Sequence, residues 1–246
     1  MPEGRPIALI VGAGDAIGAA IARRFAEGGF DVAMGRRRGE RLVPLVEELQ
    51  AHGGRAVGYT MDARQEESVE EVFAKAEAEL GPLDLVIFNV GGNVRFPLRD
   101  TTSRVFRKVW EMACYAGFLT AREAARYMVP RGRGALFFTG ATASMRGAAG
   151  YAAFAAGKAG LRALAQATAR ELGPENIHVA HLVIDAGVDT PFVRERLTEA
   201  GTDPAKLPPE TLMQPSSVAA AYWQLYHQPR DAWTFEMDVR PFRETW

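Results

Sequence analysis

"PIALIVGAGDAIGAAIARRFAEGG", residues 6–29, changes its apolar rhythm at its centre. Residues 6–12 form a continuous apolar run that reads as a buried strand. From residue 16 the apolar side chains recur at helical spacing, and Gly28 and Gly29 close the segment. Between the two lies "VGAGDAIG" (11–18), in which Gly12, Gly14 and Gly18 lead from the strand into the helix. Glycines in such a turn let backbone N–H groups approach a phosphate, and the helix N-terminus adds favourable electrostatics. With 25 glycines in the chain, three at this spacing say little by themselves. Their place after a strand and at the opening of a helix points to a nucleotide-phosphate turn rather than a plain tight connection.

The same alternation continues along the chain. Strand-length apolar runs stand at 30–35, 55–62, 83–92, 134–140, 177–184 and 233–239. Helical periodicity is expected over 39–54, 66–81, 102–129 and 151–172, with shorter helices near 190–200 and 215–227. Pro44 sits near the start of its helix, where proline is least disruptive. Parallel strands need crossovers, so strand–helix alternation predicts an α/β fold. The expected architecture is one doubly wound, Rossmann-type parallel sheet with helices on both faces, spanning 1–246 as a single domain. "GTDPAKLPPETLMQP" (201–215) reads as a mobile loop within it, and about 190–215 as a substrate loop or lid.

Composition narrows the class further. The chain has 246 residues, 48% hydrophobic and 24% charged, which is ordinary for a globular protein able to bury a core. A net charge of −1 gives no sign of a nucleic-acid or anionic-membrane partner. The lone Cys114 excludes an intrachain disulfide and suits a reducing, cytoplasmic setting. It also has no Cys or His at metal-ligand spacing, so no metal site is expected. No apolar run approaches the ~18–20 residues of a membrane span. "IALIVGAG" (7–14) lacks the basic segment and cleavage pattern of a secretion signal.

The glycine spacing resembles that of the short-chain dehydrogenase/reductase family, whose usual pattern is TGxxxGxG. Here Val11 replaces the threonine and Ala16 the middle glycine. Further similarity lies in "MDA" (61–63), "FNVGG" (88–92) and "GKAGLRALAQATARELGPENIHV" (157–179). The resemblance implies a nicotinamide dinucleotide laid over Gly12, Gly14, Ile17 and Gly18. It implies Asp62 and Ala63 beside the adenine, and Asn89, Val90 and Gly91 on the adenosine side. It also implies Lys158 on the ribose and Thr190 at the carboxamide. At the end of the second strand a carboxylate suits the ribose 2′-OH of NAD, whereas an arginine suits a 2′-phosphate. "GRRRGE" (35–40) puts Arg36 at that position and Arg37 beside it, so NADP(H) is preferred and NAD(H) is possible. Asp15 opposes this by repelling a phosphate, unless an arginine neutralises it.

The family's catalytic group departs from its pattern. Hydride transfer to a carbonyl needs a proton at the substrate oxygen, normally from a tyrosine whose pKa of ~10 is lowered by a lysine one helical turn later. By spacing, that tyrosine is Phe154, the serine thirteen residues earlier is Ala141, and the asparagine of the preceding helix is Cys114. Lys158 alone remains. Tyr151 lies seven residues from Lys158, about 10.5 Å along a helix, and its side chain leans away from it. Thr142 and Ser144 flank the lost serine but are poor acids. Asp185, where the family usually has proline, is a better donor if burial raises its pKa, although such an aspartate commonly binds loop amides instead. Tyr115, Cys114 and His181 are weaker candidates.

Three functions are expected from these residues. The first is an NADP(H)-dependent oxidoreductase with atypical catalytic residues, acting on a small carbonyl, alcohol or imine. The second is a catalytically silent NADP(H)-binding sensor, and the third a structural partner subunit. The Ala/Gly-rich stretch "AAFAAGKAGLRALAQATA" (152–169) is expected to pack against a second subunit, in a homodimer or homotetramer. "MDVRPFRETW" (237–246) is a further candidate to cover a neighbouring subunit's pocket. The mixed charges of "PFVRERLTEAG" (191–201) indicate no substrate polarity.

Overall fold

The computed structural model describes residues 4–245. Strands β1 (Ile7–Val11), β2 (Asp31–Arg36), β3 (Ala56–Thr60), β4 (Leu85–Phe88), β5 (Gly134–Thr139), β6 (Ile177–Ile184) and β7 (Glu236–Val239) form one sheet. Their order is β3-β2-β1-β4-β5-β6-β7, and every pairing is parallel. The chain reverses its direction of travel between β1 and β4. In an open parallel sheet that reversal leaves a crevice beyond the carboxyl ends of the strands.

Alternating side chains of the strands feed two cores. Ala8 and Ile10 of β1 face one side, with Phe25 of α1 (Ile17–Glu27), Leu45 and Leu49 of α2 (Val43–Ala51), and Tyr222 of α9 (Pro215–Tyr226). Ile7, Leu9 and Val11 face the other, with Phe73 of α3 (Glu66–Glu79), Leu119 of α5 (Ala116–Met128), and Leu161 of α7 (Ala152–Leu172). Burial on both faces is why the central strands β1, β4 and β5 read as unbroken apolar runs. The single-domain, doubly wound parallel sheet expected from the sequence is the fold observed. Among the described residues no helix is long and apolar enough to cross a membrane, and no cluster of side chains suits a metal ion.

Several elements differ from the expected spans. The helix expected over 102–129 is α4 (Ser103–Trp110), a π-helical turn at Glu111–Tyr115, and α5. This wide turn faces α7, where a Cβ on Gly157 would lie 2.8 Å from Ala113 Cβ, and one on Gly160 3.0 Å from Cys114 Sγ. The expected helix over 39–54 begins as a 3₁₀ turn, Gly39–Leu42, before α2. The run 83–92 stays in the sheet only through Phe88, because residues 89–91 leave it to line the crevice. Two short helices complete the architecture: α6 (Thr142–Met145), which periodicity does not reveal, and α8 (Pro191–Glu199).

One face of α7 packs within this chain. Gly157 and Gly160 serve the contact with the π turn inside this chain. The side left exposed carries Ala156, Ala159, Ala163 and Ala167 instead. In the tail, Glu244 lines this chain's own crevice. Trp246, the last residue of the tail, lies outside the described residues.

Candidate active site

The crevice holds a cleft of about 1170 Å³. The fold gathers along it Gly12, Gly14, Ile17, Gly18, Arg36, Arg37, Asp62, Ala63, Asn89, Val90, Gly91, Lys158 and Thr190, together with Thr142, Tyr151 and Phe154. Asp185, Cys114, Tyr115, Ser144 and His181 are absent from its lining.

At the glycine turn the geometry demands the residue type. Gly12 has φ +90°, and a Cβ there would lie 2.8 Å from the Asn89 carbonyl. A Cβ on Gly18 would lie 2.6 Å from Ala13 Cα. The first turn of α1 has neither a side-chain cap nor an acidic residue. Its early N–H groups therefore open onto the cleft without a partner from a capping side chain, an arrangement that suits an anion. Asn89 locks the turn to the sheet: its Nδ2 donates to Gly12 O (3.0 Å), and its Oδ1 accepts from Thr139 Oγ1 (3.0 Å). Thr139 Oγ1 also pairs with the Tyr222 hydroxyl at 2.7 Å.

At the end of β2 the charge is lopsided. Arg36, Arg37, Arg38, Arg41 and Arg64 line the cleft with only Asp15 and Asp62 as counter-charges there. Arg36 pairs with Asp15, whose second oxygen accepts from Arg41 Nη2 at 2.8 Å. The hydrogen bond from Arg36 holds the Asp15 carboxyl below the usual carboxylate range. Asp62 is likewise lowered, chiefly by Arg64, which donates from Nη2 at 2.6 Å, with a smaller contribution from the charge of Arg37. Arg37 and Arg38 are exposed, and neither is bound into an ion pair among the described residues. Arg41 and Arg64 are not evident from sequence spacing, although Arg64 stands only two residues after Asp62.

Further along, Lys158 is 2% exposed. Its Nζ donates to Thr139 O (2.7 Å) and Val90 O (3.3 Å). Burial pushes its ammonium down to about 8. One turn earlier, Phe154 packs with Val109, Ala143 and Ala153 and presents an apolar ring to the cleft. Ala141 lines the same wall. Ser144 is buried, its Oγ accepting from Ala141 N at 3.1 Å, so its hydroxyl serves the start of α6. Tyr151 occupies the N-cap position of α7. Thr190 caps α8, accepting from Val193 N at 3.2 Å.

Asp185 as a proton donor is corrected by its surroundings. It is 2% exposed and takes both nitrogens of Arg146, at 3.0 and 2.9 Å. Burial alone would raise its carboxyl. The hydrogen bonds from Arg146 and Thr142, with the charges of Arg146 and Arg240, outweigh that and hold it below the carboxylate range. Asp185 is thus an ionised anchor for Arg146, and the Thr142 hydroxyl is engaged with it.

The weaker candidates also turn away from the cleft. His181 bonds through Nδ1 to Glu236 Oε2 (3.0 Å), and burial lowers it to about 4. Tyr115 is stacked between Trp110 and Phe118. Cys114 lies against α7 at Gly160, and burial raises its thiol.

Comparison with known proteins identifies the family. Residues 6–201 match the short chain dehydrogenase family, and the chain belongs to that family of oxidoreductases. It is 34% identical over 203 residues to a short-chain dehydrogenase/reductase of Armillaria gallica, covering 81% of this chain and 77% of the relative. A short-chain dehydrogenase from Rhodopseudomonas palustris shares 53% identity and superposes with a TM-score of 0.82, covering 96% of this chain and 99% of that one. An alcohol dehydrogenase from the archaeon Thermococcus sibiricus, in complex with 5-hydroxy-NADP, is 27% identical with a TM-score of 0.85, each chain being 98% covered.

Proposed function

We propose that this chain is an NADP(H)-dependent oxidoreductase acting on a small carbonyl, alcohol or imine substrate through an atypical set of catalytic residues. The observation that carries the cofactor assignment is the arginine group at the end of β2. Arg36 and Arg41 neutralise Asp15, and Arg37 and Arg38 remain available to a 2′-phosphate. An NADP analogue in the Thermococcus sibiricus relative supports the same reading. The residues present fit the group: the uncapped start of α1 suits its pyrophosphate, and NAD(H) remains a weaker ligand of the same turn.

When bound, the nicotinamide supplies or accepts the hydride. Ala63 and Val90 contribute apolar walls beside the base, with Asp62 and Gly91 next to them. Lys158 holds the ribose hydroxyls, and Thr190 the carboxamide. Phe154 and Ala141 bring no proton, and they keep their wall of the cleft dry. Tyr151 and Lys158 are the side chains at the substrate end with a proton to transfer; an iminium substrate needs none. A substrate lid over about 190–215 is supported at its start, where Thr190, Phe192, Val193, Arg196 and Leu197 line this end. The exposed alanine stripe of α7, with the partly exposed Trp110 and Phe118, forms the surface for a second copy in a homodimer or homotetramer.

The test is turnover. The purified chain is incubated with NADPH and a panel of aldehydes, ketones and cyclic imines, and loss of NADPH absorbance is followed. Consumption with at least one class is expected. Tight NADPH binding with no oxidation by any of them would replace this reading with that of a silent sensor.

A further inference from the structure

The substrate end of the cleft contains an arginine that no carboxylate among the described residues pairs with. Arg194 is taken up by Asp189, and Arg146 by Asp185. Arg240 reaches Asp238 and Asp185, while Glu244 acts on Arg146. Arg196 of α8 lines the cleft, half-buried, and no carboxylate among the described residues pairs with it.

Its guanidinium is nonetheless held in place. It lies 5.0 Å from the centroid of the Phe192 ring and 6.0 Å from that of Tyr151, and Nη1 donates to Asn93 Oδ1 at 3.1 Å. Ring contacts of this kind fix a cation without consuming its N–H groups. An arginine carries five N–H donors in a planar fork that matches a carboxylate. One of those donors is satisfied here, by a neutral amide oxygen that leaves the charge uncompensated. Tyr151 and Phe192 set apolar rings beside it, and Phe154 and Leu197 line the same cleft.

We infer that the substrate is a compact apolar carboxylic acid, an oxo- or hydroxy-acid, whose carboxylate is clamped by Arg196 while its apolar body lies against Tyr151, Phe154 and Phe192. This rests on the oxidoreductase reading of the same cleft for the identity of the reacting group, but not for the clamp itself. Position favours substrate over cofactor as the ligand, since Arg196 contacts Asn93, Tyr151 and Phe192 rather than the glycine turn.

Isothermal titration calorimetry tests this with cyclohexanecarboxylate and its neutral isostere cyclohexanecarboxamide, on protein saturated with NADP+. The carboxylate is expected to bind at least about tenfold more tightly than the amide. In Arg196→Gln the two affinities are expected to fall within about twofold of each other, while Arg196→Lys keeps part of the preference as a point charge. Thermal melting and NADPH affinity, both expected to be unchanged in the variants, establish that they are folded. Equal binding of the two probes by the unaltered protein, no detectable binding of the carboxylate, or a preference retained in Arg196→Gln would each overturn the inference. A chain that fails to bind NADPH contradicts the cofactor reading instead, and the same probes titrated without cofactor still decide the role of Arg196.

Discussion

Lys158 is a buried amine held by two backbone carbonyls and faced by a phenyl ring one turn away. Desolvation opposes its charge, and the Thr139 and Val90 carbonyls are neutral acceptors, so its ammonium is lost at about 8 instead of near the usual lysine value. Below that pH the charged form attracts an anionic dinucleotide; above it the attraction disappears. NADPH affinity is therefore expected to fall as pH rises through about 8, and to be flat there in Lys158→Met, as read by fluorescence titration. Phe154 and Ala141 give the complementary prediction. Under the proposed function, placing hydroxyls at both positions with Ala141→Ser and Phe154→Tyr is expected to raise carbonyl reduction by about 10²–10⁴-fold, the usual worth of general acid–base help. A well-folded double variant with no gain in rate would show that these positions do not face the reacting oxygen.

At the scale of elements, the contact between α7 and the π turn sets the position of Lys158. Gly157, immediately before the lysine, meets Ala113 so closely that an added methyl would have 2.8 Å of room. Gly157→Ala is expected to destabilise the fold by about 1–2 kcal/mol through overpacking, a net loss despite alanine's better helix propensity. Chemical denaturation measures it, and an unchanged or raised stability would mean that the two helices separate freely. The strands and α7 are legible in the sequence because double-sided burial writes unbroken apolar runs and because the glycine turn marks the passage from β1 into α1. The π turn is hidden, since residues 111–115 continue the apolar pattern of the flanking helices. Gly12, Asn89 and Lys158 are likewise readable from their motifs. The ion pairs of Asp15 with Arg41 and of Asp185 with Arg146 are not, because tertiary approach joins positions 26 and 39 residues apart. The same holds for Arg196: the alternating charges of α8 look equivalent until the fold turns one of them inward.

For the whole molecule, the sheet's reversal between β1 and β4 arranges a cleft with two chemically different ends. One end is a cluster of five arginines around Asp15 and Asp62; the other sets the rings of Tyr151, Phe154 and Phe192 beside Arg196, which pairs with no carboxylate among the described residues. Under the proposed assembly through the exposed alanines of α7, Ala159→Glu with Ala163→Glu is expected to convert an oligomer to a folded monomer in light scattering. An unaltered mass would place the interface elsewhere. Cofactor choice rests on the arginine-rich end, and it is tested most directly by titrating the purified chain with NADPH and NADH under identical low-salt conditions, following nucleotide fluorescence. NADPH is expected to bind at least about tenfold more tightly, the worth of one charge-assisted hydrogen bond to the 2′-phosphate. Equal affinities, or tighter binding of NADH, would contradict it.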